Sequence, residues 1–214
     1  MSQLIFRIVK LLYPLDFKFF TNVIVKMSFV ELFIVFIIVV ILVMYINNYV
    51  NAEVEYVKSK VDSRSYLVLA LPDKQEAADY LALINKDLLK VIRHLRAKYP
   101  NNPDFERLYK NFDPNLVSEG SPESSYTSYS VNKSQLVVCL RQTDHTFVDN
   151  NVLMYVILHE LGHFACAEVG HTPKFWEIFK LIITEAVGMG VYKKVDFKKK
   201  PEPYCGIKIS SSII

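Results

Sequence analysis

The chain has 214 residues, of which 51% are hydrophobic and 22% charged, with a net charge of +3. Six glycines and nine prolines exclude a collagenous or low-complexity chain, and three cysteines exclude a disulfide-built scaffold. A charge of +3 is too small to point to nucleic acid on its own, and the length fits one domain with an appendage.

Residues 1–27 mix apolar and basic positions, with Phe17, Phe19 and Phe20 among Arg7, Lys10, Lys18 and Lys26. They read equally as an amphipathic arm on a membrane surface or as a tail. Residues 32–46 (LFIVFIIVVILVMYI) contain no charge, amide or glycine. Extended to 28–50, the run has about the 20 residues that cross roughly 30 Å of hydrocarbon. Glu31 stands near one end and Tyr45 and Tyr49 near the other, as at a membrane interface. The expectation is a single-pass transmembrane helix over 28–50 and a membrane location, with basic residues on both sides leaving the orientation weakly specified. Residues 51–64 are polar and are expected to continue the helix as a stalk.

Residues 65–214 then read as one α+β domain. Residues 65–71 (SYLVLAL) form a short apolar run, expected to be a strand. Leu71-Pro72-Asp73 is a helix start, and Ala77, Leu81, Ile84, Leu88, Val91, Ile92 and Leu95 recur at steps of three and four, predicting an amphipathic helix to about Lys98. A second, short helix is expected over 104–111 and an irregular loop over 113–125. Residues 135–141 (QLVVCLR) read as a strand, 144–149 as a turn-rich link, and 152 to about 168 as an apolar helix capped by Asn150 or Asn151. A further helix spans about 175–187. The expected architecture is a helix bearing the motif below, packed on a short sheet.

That motif is His159-Glu160-Leu161-Gly162-His163. Residues four apart lie on one helix face, so both imidazoles can point at one metal ion. Glu160 follows the first ligand and can reach a zinc-activated water as general base. Two histidines and a glutamate on a buried helix are costly unless their polar groups are satisfied, and a metal satisfies them. A catalytic zinc needs a third protein ligand and an open position. His171 is preferred, because Gly170 ends the helix and lets the chain fold back. Cys166, on the same helix face, and Glu185, on the following helix, are rivals. His94 and His145 read as helix-face and turn histidines. Tyr126, Tyr129, Tyr192 and Tyr204 are candidate oxyanion donors. The strand at 136–140 is a candidate edge for binding a peptide by strand addition.

The stretch HELGHFACAEVGHTPKFW resembles the signature of zincin-type zinc metallopeptidases, within them the WLM and SprT-like group. The wider stretch from SEGSPESSYTSYSVNKSQLVVCLR to PYCGIKISSS is similar to predicted metallopeptidases of large nucleocytoplasmic DNA viruses. The resemblance covers about residues 65–214. It implies His159, His163 and His171 as zinc ligands, Glu160 as catalytic base, and Phe175 and Trp176 as an aromatic pair behind the third ligand. Seven residues separate His163 from His171, more than the five of the shortest members.

The function expected is a membrane-anchored zinc metallopeptidase acting on protein or peptide. The alternatives are a non-enzymatic viral membrane or virion protein with a structural zinc, and a protease acting on DNA-bound proteins. For the last, Lys193, Lys194, Lys198, Lys199 and Lys200 would be the electrostatic footprint. Retention of Glu160 favours the enzyme, because a structural site has no use for it.

Overall fold

A computed structural model of the chain describes residues 28–50, 53–121 and 127–214, with side chains omitted for 46–50. The expected arm at 1–27 lies outside them. The chain divides into two compact units, Met1–Ala52 and Glu53–Ile214.

Helix α1 (Phe29–Val50) belongs to the first unit. It opens on a reciprocal cap. The Ser28 backbone N–H and hydroxyl both donate to the Glu31 carboxylate, at 2.7 and 2.8 Å, and the Glu31 N–H donates back to Ser28 Oγ at 3.3 Å. Its side chains from Phe29 to Tyr45 are exposed. The single-pass anchor expected over 28–50, and the membrane location drawn from it, are corrected: among the described residues no helix is long and apolar enough to cross a membrane.

The second unit begins with a hairpin. Strand β1 (Val54–Lys58) pairs antiparallel with β2 (Ser65–Leu69), from Val54 opposite Leu69 to Lys58 opposite Ser65. A strand thus stands where a helical stalk was expected. Val54, Tyr56 and Val57 favour the extended backbone, and β2 offers a partner whose Tyr66 and Val68 are buried in the core.

Helix α2 (Lys74–Lys98) follows and buries the stripe from Ala77 to Leu95. Helix α3 (Pro103–Asn111) is capped by Asn102, whose side chain accepts from the Asp104 and Phe105 N–H groups. The region expected to be loop contains strand β3 (Val117–Glu119). With β4 (Tyr129–Val131) and β5 (Gln135–Val138) it forms a three-stranded sheet in the order β3-β5-β4. β3 runs parallel to the central β5, and β4 antiparallel to it. Helices α4 (Asn150–Ala165) and α5 (Pro173–Gly188) pack on one another beside this sheet. A terminal hairpin, β6 (Glu202–Tyr204) and β7 (Ile207–Ile209), closes the fold.

Two buried links hold distant segments together. The Arg141 side chain, 1% exposed, donates from Nε to Glu119 at 2.8 Å and from both terminal nitrogens to Asp73, at 2.7 and 2.9 Å. The second Glu119 oxygen accepts the Leu69 N–H at 2.8 Å. One guanidinium therefore joins β2, β3 and the start of α2. The other link is a disulfide between Cys139 and Cys205, 66 residues apart, which ties the terminal hairpin to the end of β5. Cys166 is free and buried. A loop of that length is an entropic constraint on the unfolded chain, so reduction is expected to cost about 2–4 kcal/mol. Urea unfolding with and without a reductant measures this, and coincident curves would contradict it.

Candidate metal centre

Helix α4 is capped by Asp149, not by Asn150 or Asn151 as expected: the Asp149 carboxylate accepts from the Asn151 and Val152 N–H groups. The helix is apolar nearly all round, with Leu153, Ile157, Leu158, Leu161 and Phe164 fully buried. It stops at Ala165 rather than near Glu168. The cause is that other segments take its last carbonyls. Arg107 of α3 donates to the Ala165 carbonyl and Asn111 to that of Phe164. Lys133, in the turn between β4 and β5, donates to the carbonyls of Cys166, Ala167 and Glu168, at 2.7, 3.0 and 3.0 Å. Cations at a helix C-terminus also complement its dipole. The chain is then free to turn back through Gly170, whose φ of +84° suits a residue without a Cβ. His171 comes next, ahead of the α5 cap at Thr172 and of Pro173 in the first turn.

His159, His163 and His171 meet. Their candidate ligand atoms all lie within 4.8 Å of one another, and the Nε2 atoms of His159 and His171 are 2.9 Å apart. Three imidazole nitrogens each about 2.0–2.1 Å from one zinc ion stand roughly 3–4 Å from each other, so this donor set fits such an ion. Burial and the neighbouring rings hold His159 down at about 3 and, with Lys133 contributing, His163 at about 4. Both imidazoles are therefore neutral at pH 7, which is the ligating form.

Aromatic rings fix the histidines. Phe175 stacks on His163 with centroids 4.3 Å apart, and Trp176 stacks on His171 at 5.4 Å. Gly162 makes this possible, since a Cβ there would sit 2.9 Å from the Phe175 ring. The helix can therefore approach α5 only with glycine at that position.

Glu160 is 7% exposed and pushed up to about 7 by burial, with the hydroxyl and N–H of Ser130 opposing the shift through hydrogen bonds to the carboxylate. It lines a cleft of about 670 Å³ with His163, Tyr129, Ser130 and Lys133. Ser130 was not singled out in the sequence, where nothing distinguishes it from other serines. It faces Glu160 because β4, not β5, is the sheet edge here. The strand at 136–140, expected to offer that edge, is paired on both sides.

The rivals for third ligand lie elsewhere. Glu185 accepts from Lys98 at 2.7 Å and Tyr99 at 2.8 Å and contacts His94 Nε2 at 2.8 Å. Lys98 above all, with His94 and Tyr99, holds its carboxyl down at about 2. Cys166 is outside the cluster of three histidines. His145 is an exposed turn residue. Of the tyrosines, Tyr192 and Tyr204 are buried, Tyr204 against Ser128, while Tyr129 lines the cleft. Tyr126 is outside the described residues. In the lysine run, Lys199 pairs with Asp196 and Lys200 with Glu202, which reduces its net field.

The Glu185 cluster carries a pH signature. A carboxyl lowered on folding stabilises the fold fully above its unfolded value near 4.5, and that stability is lost as pH falls through about 2. Glu185→Gln is expected to flatten acid destabilisation in that window. Matching stability–pH curves for the variant and the parent would contradict this.

No protein-family model matches the chain. It is 34% identical over 169 residues to protein R325 of Acanthamoeba polyphaga mimivirus, covering 76% of this chain and 86% of that one. The chain belongs to the family of this mimivirus protein. Proteins 136R of Invertebrate iridescent virus 6 and 042R of Invertebrate iridescent virus 3 are similar over shorter stretches, at 34% and 35% identity. The match to this chain spans 52% of the first and 59% of the second. Among solved structures, Wss1 from Saccharomyces cerevisiae is similar at 22% identity and a TM-score of 0.40, over 58% of this chain and 88% of that one. A Wss1 variant from S. pombe gives 22% and 0.36, over 56% and 92%.

Proposed function

We propose that the chain is a zinc-dependent peptidase of the WLM and SprT-like kind, with His159, His163 and His171 as the metal ligands and Glu160 as general base. The observation that carries this reading is the convergence of three histidines beside a buried carboxyl on the wall of an open cleft. When bound in such a three-histidine site, zinc supplies Lewis acidity, acidifying water and polarising a carbonyl.

The chain's own residues do the rest. Glu160, near 7, is partly ionised at neutral pH and can both take a proton from water and return it to the leaving amine. Ser130 orients that carboxylate from β4, and Lys133 fixes the turn leading to His171. Protein or peptide is the substrate class of this reading, with β4 supplying Tyr129 and Ser130 to the cleft wall beside Glu160. Tyr129 lines the same cleft and is the tyrosine this reading assigns to a developing oxyanion. A structural zinc is the other reading, but such sites are normally closed by four protein ligands. Among the described residues three histidines form the cluster.

His171→Ala is expected to lower zinc affinity by at least tenfold while α4 remains folded. Zinc titration with circular dichroism checks this, and unchanged affinity would remove His171 from the ligand set.

A further inference from the structure

Glu160 and His163 face one cleft; a second, of about 500 Å³, opens on His159. Its walls are Trp176, Lys198, Lys208 and the chain at 210–212. This wall is built and held. The Ser212 hydroxyl accepts the Phe197 N–H at 2.8 Å and donates to the Val195 carbonyl at 2.7 Å. The Tyr155 hydroxyl of α4 donates to the Ser211 carbonyl at 3.2 Å. The Cys139–Cys205 disulfide anchors the hairpin from which this segment leaves.

The charge on the second cleft is of one sign. Lys198 and Lys208 are both exposed, and no carboxylate lines the cleft. Among the described residues neither ammonium joins an ion pair, whereas the adjoining Lys199 and Lys200 are each matched with a local carboxylate. A cleft lined by one sign of charge concentrates its field on an entering group of the opposite sign. Trp176, 40% exposed and stacked on His171, adds a flat apolar wall for the methylenes of such a group.

We infer that this cleft is a specificity pocket that accepts an acidic side chain, Asp or Glu, of the substrate within a few residues of the scissile bond. The inference rests on the peptidase reading above, and its test separates the two. Peptide libraries that differ only in Glu against Gln on either side of the bond are compared in two ways. The first is kcat/KM with the zinc-loaded full chain. The second, which needs no turnover, is binding to zinc-loaded Glu160→Gln by fluorescence anisotropy.

Glu-bearing peptides are expected to be favoured by about tenfold in both, as for a charge-assisted pair, and less so at high salt. The preference should vanish in Lys198→Ala/Lys208→Ala and turn towards basic peptides in Lys198→Glu/Lys208→Glu. Equal handling of Glu and Gln peptides in both assays overturns the pocket. A binding preference without cleavage of any peptide keeps the pocket and rejects the hydrolytic reading. If the lysine variants instead lose affinity only for a single-stranded oligonucleotide, with peptide charge having no effect, the cleft belongs to nucleic acid and the inference fails.

Discussion

Glu160→Gln is expected to retain one zinc per chain and to lower kcat by about 10²–10⁴-fold, the usual range for removing a general acid–base group. The substitution keeps the side chain's size and its place beside Ser130 but removes its capacity to take a proton. It does not touch the three histidines. Metal content and turnover of the same preparation separate a lost base from a lost metal. Turnover within threefold of the parent would show that Glu160 is not the base. Loss of zinc together with turnover would show that its role is structural.

The second large effect is on stability. Arg141→Met is expected to destabilise the second unit by about 3–5 kcal/mol. The Glu119 side chain is fully buried, and burial already raises its pKa against the opposing pull of the Leu69 N–H and of Arg141. Without the guanidinium, a carboxyl is left inside with one N–H for a partner, and Asp73 loses both of its bonds to the arginine. For a unit of this size the loss corresponds to roughly 10 °C or more in Tm. Urea and thermal unfolding check it, and a change below about 1 kcal/mol would mean that the network relaxes onto water. Since α2, β2 and β3 meet at Arg141, hydrogen exchange should speed up there first.

The long helices were legible because each carries many turns of periodic burial: α2 shows ten buried positions along its stripe. The meeting of the three histidines was legible for a related reason. The spacing of His159 and His163 fixes their relative direction within one helix, and Gly170 marks the return that delivers His171. The missed elements are those whose order comes from partners far along the chain. β3, β4, β6 and β7 have three residues each, too few for alternation to show. β1 looked like a stalk because its residues alternate between exposed and half-buried, and its partner decides the conformation. The Arg141 network draws on positions 73, 119 and 141, which no local pattern connects. The Cys139–Cys205 pair likewise bridges 66 residues in a chain with an odd number of cysteines. Ser130 became visible only once β4 was seen as the edge beside α4.

The central claim is that three histidines and Glu160 form one hydrolytic centre. Its most direct test is cleavage of an unstructured protein by the full chain after metal removal with a chelator, followed by stepwise return of zinc. Cleavage should be absent from the metal-free protein and rise to a plateau at one zinc per chain, in step with zinc binding. Cleavage that is indifferent to zinc, or zinc bound at one per chain with the substrate left intact, would contradict it.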